Sequence, residues 1–139
     1  MKAAPQQHSS KIRIAVVNQD PLRFVGLRSI LESERDFVVQ AFEAHELVRP
    51  LQSHVVLLGL QANSSLYDLV ARLRMSSPET RIILTGAPAK EERMLRAIAA
   101  GVRGYLDESA TAAEYKQAIR VVAGGWAVRS TISICATRS

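Results

Sequence analysis

Five short runs of apolar, largely β-branched residues alternate along the chain with five stretches whose apolar residues return every three or four positions. The first run, residues 12–17 (Ile-Arg-Ile-Ala-Val-Val), breaks into Asn18-Gln19-Asp20-Pro21, and Pro21 suits the first turn of a helix. Over 22–32 the residues Leu22, Phe24, Val25, Leu27, Ile30 and Leu31 then recur at helical spacing. Residues 37–42 read as a second strand, and 44–51 as a short helix ended by Pro50. The wholly apolar run 55–58 ends at Gly59, and such a run suits a parallel strand buried on both faces. Residues 66–75 are helical, 82–84 a strand ending at Thr85-Gly86, and 90–100 a helix closed by Gly101. Residues 103–106 form the fifth strand. In the last helix, 111–123, Thr111 and Glu114 have the spacing of a reciprocal capping box.

Alternation with short connections requires parallel strands with helices on both faces. Right-handed crossovers leave few topologies, and the sequence predicts a doubly wound, flavodoxin-like α/β domain, (βα)5, with strand order 2-1-3-4-5. In such a sheet a site lies beyond the carboxyl ends of the strands, where the order reverses. The residues there are Asn18, Gln19, Asp20, Gly59, Thr85 and those after Leu106.

The 139 residues suit one domain. The expected division is a disordered leader over 1–10, the domain over 11–125, and a tail or the start of a linker over 126–139. No apolar run approaches the roughly 20 residues that cross a bilayer, and the polar start has no secretory core, so a cytoplasmic protein without membrane contact is expected. Lone Cys135 reads as structural or incidental, and His8, His45 and His54 share no metal-ligating spacing. The net charge of +5 raises the question of nucleic acid, but the arginines run singly and never form a block of four. Direct nucleic-acid binding by this segment is therefore not expected.

Three stretches resemble one family. IRIAVVNQDPLRFVGLRSIL (12–31), HVVLLGL (54–60) and RIILT (81–85) with LRAIAAGVRGYL (95–106) are similar to the receiver domain of NarL/FixJ (LuxR-type) response regulators, over about residues 11–125. The resemblance implies where that family's phosphorylation site falls. Its two acidic positions are Asn18 and Gln19, its phospho-acceptor aspartate is Gly59, and its conserved lysine is Glu108. Thr85 keeps the hydroxyl position, and Tyr105 the switch-aromatic position.

An aspartyl phosphate needs a carboxylate nucleophile, which glycine lacks. Mg²⁺ seeks carboxylate oxygens, where Asn18 and Gln19 offer neutral amides, and Glu108 would repel a phosphoryl dianion. A slip of one residue would make Asp20, beside Asp107 and Glu108, a metal ligand, although carboxylates in loops more often cap. Thr85 in its plain role satisfies backbone at a strand end, and Tyr105 packs with its hydroxyl at the surface. No catalytic residue, metal or cofactor is expected, and no enzyme.

The expected function is that of a degenerate, phosphorylation-independent pseudo-receiver, a protein-interaction or dimerisation module in signalling or transcriptional regulation. Its expected partner is a second copy or a regulatory protein. Receiver domains of this kind precede a helix-turn-helix domain, for which 126–139 is too short, so the chain is either a fragment of a longer regulator or a single-domain protein. Two alternatives stand beside it: a small-ligand sensor using the space above Gly59, and a phospho-receiver with a displaced acceptor, either Asp20 or a serine of Asn63-Ser64-Ser65. For a homodimer, the resemblance points to the last helix and its neighbours. Tyr115, Ala118, Ile119 and Val122 should face the sheet, leaving Lys116, Gln117, Arg120 and Val121 for a partner. Arg93 and Arg96, near Glu91 and Glu92, would offer complementary charge.

Overall fold

The computed structural model describes residues 11–17, 20–43, 52–60, 66–86, 91–107 and 109–124. Its elements in chain order are β1 (Ile12–Val17), α1 (Pro21–Leu31), β2 (Phe37–Phe42), β3 (Val55–Leu60), α2 (Leu66–Ser76), β4 (Arg81–Gly86), α3 (Glu91–Ala99), β5 (Gly104–Asp107) and α4 (Ala112–Ala123). The helix expected over 44–51, the leader and the tail lie outside the described residues.

All strand pairs are parallel and the sheet order is β2-β1-β3-β4-β5, as the alternation predicts. Successive side chains of a strand fall on opposite faces, so the central strands supply two cores. Val17, Val56, Leu58, Leu84 and Tyr105 pack with Leu73 of α2 and Met94 of α3. Val16, Val55, Leu57, Ile83 and Leu106 pack on the other face with Leu27 of α1 and Ile119 of α4. This explains why the run at 55–58 shows no polar alternation: every side chain in it is buried. Edge strand β2 buries Phe37 and Val39 and leaves Val38 and Gln40 exposed.

The helix ends are fixed by local chemistry. Asp20 caps α1, its Oδ1 accepting the Arg23 N–H at 3.0 Å, and Pro21 follows in the first turn. In α4 the Glu114 N–H donates to Thr111 Oγ1 at 3.1 Å while Glu114 Oε1 accepts the Thr111 N–H at 2.8 Å, completing the expected box. After α3 the chain turns at Gly101, whose φ of +108° suits glycine. There the Gly101 N–H donates to the Ile98 carbonyl at 3.0 Å and the Val102 N–H to the Ala97 carbonyl at 3.0 Å, the paired bonds of a Schellman cap.

The carboxyl edge as candidate functional site

Strand register assembles the edge. Gly59 pairs with Thr85, Thr85 with Leu106, and Gly86 with Asp107. On the other side Val17, the last residue of β1, pairs with Leu58. By strand alternation, positions 59 and 85 share the face of Leu57 and Ile83, the face covered by α1 and α4. The acceptor position and the hydroxyl position of the resemblance are thus direct cross-strand neighbours. Asn18, Gln19 and Glu108 lie outside the described residues.

Gly59 and Thr85 are both buried, Thr85 completely, at 0% exposure. Thr85 lies in register between Gly59 of β3 and Leu106 of β5. Tyr105 differs from expectation. Its residue is only 3% exposed, and its hydroxyl lies 3.5 Å from the Gly86 carbonyl. The cause is its parity on β5, which turns the ring into the core between the sheet, α2 and α3.

The carboxylates near the edge have local duties. Asp20 is exposed and serves as the N-cap of α1. Asp107 Oδ1 accepts the Ser109 N–H at 2.8 Å and also the Ser109 hydroxyl, closing the turn into α4. Among the described residues no group of three or more His, Cys, Asp or Glu side chains could hold a metal ion.

On the side of α4 left for a partner, two side chains already have partners within the chain. Tyr115, Ala118, Ile119 and Val122 are buried as expected, but Lys116 and Arg120 are engaged within the chain. Arg120 forks onto Asp36, at 2.6 Å from Nη1 and 3.1 Å from Nη2, and reaches Glu34 at 2.7 Å. Lys116 Nζ lies 3.1 Å from Glu34 and 3.0 Å from Ser33 Oγ. The Arg120 guanidinium also lies over the Phe37 ring, 4.6 Å from its centre. Lys116 and Arg120 hold the Glu34 carboxyl below its ordinary value, and Arg120 does the same for Asp36. Helical periodicity identifies the side of α4 facing the sheet, but not the pairing of Lys116 and Arg120 with the turn between α1 and β2. Arg96 stacks on Tyr67, 5.0 Å from the ring centre, and Gln117 is exposed. The side chains of Glu91 and Arg93 lie outside what is described.

A second cluster is set by the fold and by no linear motif. Arginines far apart in the chain gather at the opposite, amino edge of the sheet, and no linear block signals it.

No family model matches the chain. It is 26% identical over 132 residues to YxjL of Bacillus subtilis (strain 168), an uncharacterised transcriptional regulatory protein, covering 91% of this chain and 61% of that one. It is 26% identical over 121 residues to the transcriptional regulatory protein MctR of Rhizobium johnstonii, covering 83% and 56%. The chain therefore spans about three-fifths of the length of these relatives. A LuxR-family two-component response regulator from Aurantimonas sp. SI85-9A1 superposes with a TM-score of 0.75 at 26% identity, over 85% of this chain and 89% of that one. No described helix is long and apolar enough to cross a membrane. With five parallel strands in the order 2-1-3-4-5 and these relatives on both sides of the comparison, the chain has the receiver fold, and its homologues and structural neighbours are response regulators.

Proposed function

We propose that the chain is a receiver-like domain that takes no phosphoryl group and acts by binding protein, either a second copy or a regulatory partner, in signalling or transcriptional control. One observation carries the reading: the position in register with Thr85, where a receiver presents its acceptor carboxylate, is Gly59. Glycine has no side chain that could serve as the nucleophile. Asp20, the obvious substitute, already binds the first turn of α1, and Asp107 the turn into α4. The decisive experiment is exposure to acetyl phosphate, or to beryllofluoride, with Mg²⁺. Intact mass and sedimentation should both be unchanged, and a phospho-form would overturn the reading.

The interaction role draws support from apolar side chains left outside. Leu22 and Val25 stand one turn apart on α1, and Leu95 and Ile98 on α3, all exposed. With Lys116 and Arg120 tied to the α1–β2 turn, these helices offer the better partner faces. A homodimer is expected at micromolar concentration without phosphorylation. Sedimentation showing only folded monomer over that range would move the reading to a different protein partner.

A further inference from the structure

The backbone ladder lines up a row of cationic and ionisable residues at the amino edge. The His54 N–H donates to the Arg13 carbonyl at 2.9 Å, the Arg81 N–H to the His54 carbonyl at 3.0 Å, and the Arg103 N–H to the Ile82 carbonyl at 2.8 Å. Arg13, His54, Arg81 and Arg103 therefore stand near the starts of the adjacent strands β1, β3, β4 and β5, with Arg13 beside His54 and with Arg81 and Arg103 each offset by one residue along the ladder. At one end of the row is a cleft of about 160 Å³, lined by Arg74 from α2, Arg81 and Arg103, with Pro78, Glu79, Thr80 and Gly101.

We propose that this cleft is an anion site for a small oligophosphate, held by Arg74, Arg81 and Arg103. Three arginines and one glutamate, Glu79, are among the lining residues, so the lining carries a net formal charge of +2 and suits a di- or trianion better than a single carboxylate. Arginine forks match phosphoryl oxygens in bidentate geometry. The lining has no aromatic ring on which a base could stack, and its volume falls short of the roughly 300 Å³ at which sites for larger ligands begin. Recognition is therefore of a compact phosphate group and not of a nucleoside. The Thr80 hydroxyl takes no part, since it donates to the Ser53 carbonyl at 2.8 Å.

His54 reports the potential at this edge. Its proton affinity is lowered by burial first, and then by the charges of Arg13 and Arg81. Its Nδ1 accepts the Arg13 N–H at 2.9 Å, which also favours the neutral ring. An anion seated on Arg81 neutralises part of that field, so the His54 midpoint should rise on binding.

The test is calorimetric titration of the whole chain with inorganic pyrophosphate at low ionic strength, without added metal. One saturable site is expected, weakened at least about tenfold by Arg81→Gln or Arg103→Gln, as loss of a charge-assisted contact implies. Arg72→Gln, exposed on α2 outside the cleft, removes the same net charge and should change binding less than about twofold. Absence of saturation at millimolar pyrophosphate, or equal weakening by Arg72→Gln, overturns the proposal. Should the cleft variants fail to fold, proton NMR of His54 in the unaltered chain decides. A rise of its midpoint with pyrophosphate supports the site, and an unmoved midpoint overturns it. None of these readouts depends on phosphorylation at the carboxyl edge.

Discussion

The two edges of the sheet are built by the same five strands and hold opposite chemistry. At the carboxyl edge the described residues present glycine, a buried threonine, and aspartates used as caps. At the amino edge arginines converge from α2, β4 and the approach to β5. The sheet imposes neither outcome. Register decides which residues meet, and residue identity decides whether the meeting can bind anything. A receiver fold thus establishes where chemistry could be placed, without supplying it.

Restoring a carboxylate is the strongest way to break this contrast. Gly59→Asp places a charge at a buried position and should destabilise the chain by about 2 kcal/mol at pH 7, read by urea unfolding. Burial raises the folded-state carboxyl above its unfolded value near 3.9, so the cost should shrink as pH falls from 7 toward 4. An unaffected midpoint at pH 7 that rises with Mg²⁺ would show that edge to be a working metal site.

The ion pairs of α4 set a second scale. Arg120→Ala removes the fork onto Asp36 and the stacking on Phe37 and should cost roughly 1–2 kcal/mol. The folded Asp36 and Glu34 carboxyls titrate below their unfolded values, so their contribution is complete above the ordinary carboxylate range near pH 4 and is lost as pH falls through the folded values. The gap between parent and variant should therefore hold from pH 7 to about 5 and narrow in stronger acid to the share that stacking on Phe37 supplies. A gap undiminished below the carboxylate range would assign the whole effect to Phe37 stacking.

Asp20 distinguishes cap from ligand. Asp20→Ala should cost about 1 kcal/mol, whereas Asp20→Asn, an equally good cap, should stay within a few tenths of the parent. Millimolar Mg²⁺ should stabilise neither parent nor variant, and stabilisation of the parent alone would make Asp20 a ligand. The smallest effect belongs to Tyr105→Phe, below about 0.5 kcal/mol, because a 3.5 Å contact is at the limit of hydrogen bonding. A cost above 1 kcal/mol in thermal unfolding would mean that the hydroxyl anchors β5.

The fold was legible because its determinants are local. The Thr111–Glu114 box, Pro21 after Asp20, and the stop at Gly101 each lie within a few residues. Strand ends were read short, as at β4, where the apolar run 82–84 lies inside Arg81–Gly86. Apolar character marks buried side chains, whereas pairing is a backbone property that Gly59 and Thr85 carry onward. In α1 the apolar residues do not all face inward: Leu27 and Leu31 are buried while Leu22 and Val25 are exposed. The carboxyl-edge positions could be found from motifs, but the ion pairs of Lys116 and Arg120 could not, because their partners lie about 80 residues away. Arg81 and Arg103 looked scattered for the same reason, since the pairing of β4 with β5 brings them near each other, and Arg74 joins them from the last turn of α2.

Gly101 joins two structures that a geneticist would score separately. A Cβ at that position would meet Nε of Arg74 at 2.6 Å and its Cζ at 2.8 Å, on a backbone that already disfavours side chains. The residue ending α3 is therefore also the floor against which an arginine of the basic cleft is laid. Substitutions there would register as a folding lesion and a binding lesion at once, and a second-site revertant that shortened residue 74 would relieve the clash but neither the backbone strain nor the lost cation. Transplanting the cleft to another scaffold would likewise mean carrying across a residue with no side chain.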